Sequence, residues 1–496
     1  MAEGGALRDR SGPSIWRRST GRARTYPDLP IRLAVKDYTT YSFWLETCGE
    51  DLTPRPSLDG WTEVDVAILG AGFTGLWTAY YLLRREPALR VAVVEREIAG
   101  FGASGRNGGW CTSGFPVSPA QLAARFGRDA ARAVQRAMVD AVDEVGRISA
   151  DEGIDAQYRK GGRLLIARGH HQLPAVQHVY TAAQKLGLAD HYQMLDAAQT
   201  AERIRVAGAV GSLFTPDCAV IHPGKLVRGL ARAVERRGGT IYEQTEVVDF
   251  IGAPRPHLKT RRGDVRAGTI VLAGEAYLSQ VAALHRQLIP VYSLIVLTEP
   301  LTDAQWAEIG WQGHECLSSP RYTVDYLSRT VDGRILFGGR GAPYHVGSRI
   351  ADAYDRHGPT HAALRQMLVR WFPRLAGIRF THAWGGPLGM PRDCMPTVSY
   401  DRATGSASAH GYTGQGVATA NLSGRILADL ICGVDTPLAT LPMVGHQPRP
   451  WEPEPLRWLG MRLVQRGLMR VDDEAERTGR PPTGRSLPER LAGHDP

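Results

Sequence analysis

Val64-Asp65-Val66-Ala67-Ile68-Leu69-Gly70-Ala71-Gly72-Phe73-Thr74-Gly75 is a short apolar strand that runs straight into a Gly-x-Gly-x-x-Gly turn. A helical pattern follows through Tyr81-Leu82-Leu83, and Arg90-Val91-Ala92-Val93-Val94 reads as a second strand, completing a β-α-β unit. In that setting each glycine has a task. Gly70 makes the tight turn, Gly72 lets backbone amides approach a pyrophosphate, and Gly75 packs helix on strand. Phe73 and Thr74 stand in the first helical turn, whose unpaired N–H groups and partial positive charge favour phosphate. Glu95 lies twenty residues beyond Gly75, at the end of the second strand and just before Arg96. A carboxylate there accepts hydrogen bonds from both hydroxyls of a ribose. The unit predicts a dinucleotide site; the plainer alternative is an ordinary glycine-rich turn.

The unit alone does not separate FAD from NAD, and two further glycine-dense pieces do that work. Gly100-Phe101-Gly102-Ala103-Ser104-Gly105-Arg106-Asn107-Gly108-Gly109 has small residues that let backbone lie along a bulky cofactor. Its Arg106 and Asn107 can hydrogen-bond a ribityl chain, a phosphate or a ring edge. Gly411-Tyr412-Thr413-Gly414-Gln415-Gly416-Val417 leads into a helical pattern over Ala418–Ile431. Its N-terminus would stabilise negative charge on a reduced flavin ring. Pieces spread from Gly70 to Val417 suit one extended FAD better than NAD.

With 496 residues the chain is long enough for two domains, and its net charge is +9. Lysine occurs only at Lys36, Lys160, Lys185, Lys225 and Lys259, so arginine carries the basic excess. The arginines are scattered among acids, which argues against nucleic acid as a partner. No apolar stretch reaches the roughly 18 residues needed for a membrane span. Six cysteines without a C-x-x-C pair imply neither a metal site nor dithiol chemistry and point to a reducing, cytoplasmic setting. Residues 1–30, rich in Arg, Gly, Ser and Pro, read as a disordered arm. Helices are predicted over Ala120–Glu152, His170–Leu186 and Lys225–Arg237, with strands at Arg163–Ala167 and Thr269–Ala273. Strands at Pro290–Thr298 and Gly333–Gly339, around a loop-rich insert over Trp306–Asp325, suggest a separate antiparallel sheet. A basic amphipathic helix from about Leu456 to Arg470 reads as a docking or dimer element.

On these motifs the chain resembles the FAD-dependent glycine and D-amino-acid oxidase family, and within it the γ-glutamylputrescine oxidoreductase-like branch. The likeness runs from about Phe43 to Leu441 and rests on Gly70–Gly75 with Glu95, Gly102–Gly109, Gly338-Gly339-Arg340 and Gly414–Val417. Val247 and Val248 resemble the family's adenine-side backbone contact, and Gly274 is taken as a further cofactor contact. The resemblance implies an α/β fold. A Rossmann-like FAD-binding domain would be assembled from 60–120, 205–285 and 380–440, and a mostly antiparallel substrate domain from 121–204 and 286–379. A C-terminal helix and tail would occupy 448–496. It also implies oxidation of a C–N bond. Hydride passes from the carbon beside a neutral amine to the flavin, and the resulting imine is hydrolysed, with no strong base required.

Arg340 is the candidate for anchoring a substrate carboxylate; Tyr322, Tyr326 and His345 are candidates for the roof, and Trp384 for packing near the ring. The run Cys394-Met395-Pro396-Thr397 is similar to the segment through which the sarcosine-oxidase branch attaches flavin by a cysteine sulfur. That branch also places a lysine beside the flavin to assist oxygen, and here no lysine follows Lys259. Either another cation such as Arg340 or a histidine takes that lysine's place and oxygen is the acceptor, or the acceptor is a quinone or another protein; the enzyme is expected to be a monomer or homodimer. Two other functions stay open: an FAD enzyme acting on an alcohol, aminophosphonate or biosynthetic intermediate, and a non-catalytic flavin-bound binding protein.

Overall fold

The computed structural model of the chain describes residues 36–339 and 344–492, so the arm expected over 1–30 lies outside the described residues. The apolar run before the glycine turn forms strand Thr62–Leu69, inside an eight-stranded sheet. It pairs in parallel with Val91–Val94 on one side and Asp264–Leu272 on the other, and these pair in parallel with Thr240–Tyr242 and Ser406–His410. Strand Thr397–Asp401 and the hairpin Val247–Ile251/His257–Thr260 join antiparallel. Parallel strands require cover on both faces. Val66 and Ile68 accordingly pack in one buried cluster with residues of helices Phe73–Arg85, Pro223–Arg236 and Gly416–Cys432, while Ala67, Ile270 and Leu272 belong to a second cluster.

The second eight-stranded sheet runs in the order Phe380–Met390, Ile289–Thr298, Ile335–Gly339, Asp325–Arg329, Cys316–Ser318, Arg163–Arg168, Ala209–Thr215, Gln193–Asp196. All its pairs are antiparallel except Cys316–Ser318 with Arg163–Arg168. Strands Ala209–Thr215 and Phe380–Met390 therefore belong to the second sheet, although boundaries at 205 and 380 placed them with the cofactor domain. The first pairs with Arg163–Arg168 and the second along the length of Ile289–Thr298, and a pattern of alternating residues does not name its partner strand. The single helix expected over Ala120–Glu152 is two, Pro119–Phe126 and Arg128–Asp151, broken where Gly127 takes φ +92°. The insert over Trp306–Asp325 is more ordered than expected. It holds the end of helix Asp303–Ile309, started by a Thr302–Gln305 capping box, and strand Cys316–Ser318. Among the described residues no helix is long and apolar enough to cross a membrane.

The C-terminal segment docks on its own chain. The Trp451 N–H donates to the Arg286 carbonyl, and the Trp451 indole donates to the Met390 carbonyl. The helix expected to end near Arg470 continues to Thr478. From it the buried Asp472 carboxylate accepts the N–H groups of Tyr322 and Thr323 and the Thr323 hydroxyl, at 3.1, 2.9 and 2.6 Å. That turn carries Val324, a β-branched residue at φ 53°, a strained conformation. Asp472→Ala leaves three donors without their acceptor and is expected to cost about 2 kcal/mol. Limited trypsin digestion should then cut after Arg321 in the variant and spare the parent; equal resistance would show that the clamp contributes nothing.

Candidate active site

The carboxyl ends of the parallel strands and one face of the second sheet enclose a cavity of about 1040 Å³. All three glycine-dense pieces reach it and are bonded to one another. The Phe73 N–H donates to Ser104 Oγ at 2.8 Å, and Thr74 Oγ1 and the Tyr412 hydroxyl share a hydrogen bond of 3.0 Å. Gly70 sits at φ +102°, where a Cβ would lie 2.8 Å from the Ala273 carbonyl oxygen. Gly75 does not line the cavity. A Cβ there would fall 1.9 Å from the Gly70 oxygen, so its task is the helix-to-turn packing expected of the third glycine. Gly75→Ala is expected to destabilise the protein by about 3 kcal/mol and to lower its retained flavin, read by urea unfolding and the yellow absorbance after purification. An unchanged urea midpoint would defeat this account of the turn.

Glu95 is half-buried at one end of the cavity. Its Oε2 accepts the Ala71 N–H and its Oε1 the Glu97 N–H, both at 2.9 Å, and each oxygen keeps a further lone pair for a ligand hydroxyl. Burial pushes this carboxyl above its usual range. Arg96 lies over the Tyr277 ring, and Val247, Val248, Lys259 and Thr260 continue the same wall. Gly274 follows the Asp264–Leu272 strand into the cavity.

The second glycine piece is pinned from outside by indoles. Trp44 donates to the Asn107 carbonyl and Trp384 to the Arg106 carbonyl. Trp384 is buried and supports the loop from behind, while Gly386 reaches the cavity. Asn107 lines the cavity and at the same time donates to the carbonyls of Ala103 and Ser104 and accepts the Gly109 N–H, shaping its own loop. Arg106 donates to the Phe101 carbonyl and pairs with Asp355 at 2.5 Å, leaving Nη2 buried without a partner. Ala103, Ser104 and Gly108 line the cavity with Gly414, Gln415, Gly416 and Val417, while Gly109 is turned against Trp44 and the Ile221 carbonyl.

Glu275 is a cavity residue that the sequence motifs do not single out. Its Oε1 accepts the N–H groups of Gly411 and Tyr412, at 3.2 and 2.9 Å, while Oε2 is buried against the Gly389 backbone without a well-formed hydrogen bond. Burial pushes this carboxyl from 4.5 to about 7. The signal that points to it is an acid in Ala273-Gly274-Glu275, at the carboxyl end of a parallel strand, where crevice ligands bind. The folded state then binds more protons than the unfolded chain between those two values. This group's contribution to stability is greatest at the acid end of that window and falls as pH rises towards 7. Glu275→Gln keeps a carbonyl for Gly411 and Tyr412 and should remove that fall, gaining up to about 3 kcal/mol over the parent above pH 7. Stability curves of the two proteins that run parallel across the window would refute the assignment.

At the second-sheet end the cavity is walled by Trp110, Arg163, Ser293, Ile295, Ser318 and Tyr326. The Tyr326 hydroxyl bonds to Ser293 Oγ at 2.9 Å. Tyr322 turns away to the C-terminal helices, and His345 stacks on Tyr354 outside the cavity; neither lines it, because docking of the tail claims that loop. Arg340 lies outside the described residues. Cys394 sits in the turn after Pro391, its N–H on the Pro391 carbonyl, and the structure does not bring its thiol to the cavity. Among the lysines only Lys259 lines the cavity, at the Val247 end. Among the described residues no cluster of His, Cys, Asp or Glu is suited to a metal ion.

A strand-turn-helix anion site, a half-buried carboxylate with free lone pairs and a crevice running to a second sheet define a dinucleotide-binding class of fold and fit FAD. Residues 65–430 match the DAO family of FAD dependent oxidoreductases, so the chain belongs to that family and its cofactor is FAD. Gamma-glutamylputrescine oxidoreductase of Escherichia coli (strain K12) is 28% identical over 400 residues, 80% of this chain and 90% of that protein. A probable oxidoreductase, OrdL, of Rhizobium meliloti (strain 1021) is 30% identical over 408 residues, with 80% and 90% covered. Among solved structures, glycine oxidase from Geobacillus kaustophilus superposes with a TM-score of 0.64 at 21% identity, covering 77% of this chain and 99% of that one.

Proposed function

We propose that the protein oxidises the C–N bond of a small amine or amino acid, giving an imine that water hydrolyses. The observation that carries this reading is the single cavity that joins the three glycine-dense pieces to the second sheet, so that a molecule held against Ser293, Ile295 and Tyr326 shares one enclosure with the cofactor. The activity in the name of the Escherichia coli relative supports the choice of an amine. FAD, when bound, supplies an acceptor for a hydride. Gly70, Gly72, Phe73, Thr74 and Glu95 would hold its dinucleotide half, and Ala103–Gly108 with Gly414–Val417 its ring half.

The chain's own residues position and enclose the substrate. Trp110, Ile295 and Tyr326 form an apolar wall that limits water, and the Ser293–Tyr326 hydrogen bond fixes the tyrosine. Asp325 at the same end already accepts the N–H and hydroxyl of Ser319, each at 2.8 Å, and is no free base. A hydride step needs none. With no lysine at this end among the described residues, a quinone or protein acceptor is favoured over oxygen. The cysteine spacing supports a cytoplasmic setting.

Mixing the yellow protein without air against panels of amines, amino acids, alcohols and aminophosphonates tests the reading: amines or amino acids should bleach the flavin. Bleaching by alcohols alone would replace it with the alternative chemistry, and rapid peroxide release on readmitting air would overturn the choice of acceptor.

A further inference from the structure

We propose that the outer face of the C-terminal helix Leu456–Thr478 is a docking surface for an anionic lipid bilayer, on which the protein lies without crossing it. Six of the thirteen exposed large apolar side chains among the described residues fall between 456 and 491. On the helix, Leu456, Leu459 and Leu463 are 62%, 52% and 49% exposed, and their spacing of three and four puts them in one stripe. Gly467 continues the stripe by another four residues, and Pro488 lies against it, 2.1 Å from where a Cβ would stand. That contact brings the short helix Leu487–Ala492 alongside, with Leu487 and Leu491 exposed as well. The inner face is already taken, with Arg457, Asp472 and Ala475 buried. The family match ends at residue 430, so the whole face belongs to the segment beyond it.

The charge of this face identifies its occupant. From Leu456 to Arg470 the chain carries Arg457, Arg462, Arg466 and Arg470 and no acid. Arg466 and Arg470 are exposed and stand seven residues, about two turns, beyond Leu459 and Leu463, so they lie on the same face. Among the described residues none of Arg462, Arg466 and Arg470 has an acid partner, whereas the acids of the following turns are engaged. Asp472 holds the Tyr322–Thr323 turn, Asp473 and Glu476 pair with Arg321, and Glu474 pairs with Arg477. Burial and then the charge of Arg466 hold the Arg462 guanidinium below its usual pKa, as expected where like charges crowd. Leucine and arginine along one helix edge of about 21 Å require hydrocarbon and anions together. A bilayer interface supplies both as layers, phosphate groups over acyl chains, and arginine stems reach from one to the other. A second copy does not, because two-fold pairing through Leu459 and Leu463 sets Arg462 and Arg466 of each chain close to the same residues of the other. An acidic protein surface answers the arginines but leaves the leucines against charge.

The test floats the FAD-loaded protein with vesicles of phosphatidylcholine alone and of phosphatidylcholine with about a quarter phosphatidylglycerol, the second carrying the negative surface potential that attracts basic segments. The protein should bind the anionic vesicles at least about tenfold more tightly than the neutral ones, and the difference should shrink as salt is raised. Arg466→Gln with Arg470→Gln should weaken binding to the anionic vesicles about thirtyfold. Leu459→Ala with Leu463→Ala should weaken it about tenfold. All four side chains are exposed and none lines the cavity, so flavin content and urea midpoint should stay at the parent's values. Failure of the parent to float, equal binding to the two vesicle types, or variants that bind as the parent does would each overturn the proposal. Binding lost in the arginine variant but unchanged in the leucine variant would overturn it too, marking plain anion attraction of the kind an acidic protein exploits. A solution mass of two chains that falls to one in the leucine variant would give the face to a second copy. Flotation that begins only once residues 1–35 are removed would give it to that segment, and either result sinks the lipid assignment.

Discussion

The rest of the structure depends on how closely backbone approaches backbone at the first glycine turn. Gly75 stands where any Cβ would collide with the Gly70 oxygen, and Gly70 where it would collide with Ala273. Because no side chains intervene, the helix starts directly over the end of its strand and presents open N–H groups to the crevice. The turn is then tied outward, through Ser104 to the second glycine piece and through the Tyr412 hydroxyl to the third. Pieces remote in sequence thus become one continuous surface, and an elongated ligand held by that surface also holds the pieces together.

The electrostatics of the cavity are arranged by burial. Asp355 neutralises Arg106, which is packed under Phe101 and beside Tyr41, and Glu95 is steadied by two backbone donors. Glu275 is the exception, a carboxyl with one oxygen satisfied and the other enclosed without a full partner. In a low-dielectric site such a group is held nearer to its neutral form than a surface carboxyl. Arg163 is the converse case at the other end, a cation steadied by a hydroxyl and an indole and not by an acid.

The segment beyond the family match, which ends at residue 430, is not an appendage. Trp451 and Glu454 hold Arg286, Met390 and Tyr344, and Asp472 holds the turn that leads into Val324 and Tyr326 on the cavity wall. Its outer face keeps Leu456, Leu459, Leu463 and Met469 exposed. Docking of this helix also explains why Tyr322 and His345, which stand close in sequence to the wall, are turned away from it.

The local signals are legible in the amino-acid sequence. Strand, glycine turn, helix and Glu95 lie within one short stretch, and their covalent spacing allows few arrangements, so the β-α-β unit and its anion site follow from the sequence itself. The apolar run of Ile289–Thr298 likewise marks a strand, and the small residues of Gly102–Gly109 mark a close-packed loop. What only the tertiary structure decided was partnership. It joined Phe380–Met390 to the second sheet, tied Asn107 to the carbonyls of its own loop at the cavity wall, brought Glu275 into the cavity, and left Arg163 without an acid while Arg106 has one. The physical reason is that strand pairing and ion pairing are set by distances through space between residues far apart in the chain. Whether a charge is matched depends on which other side chains the folded sheets carry to it.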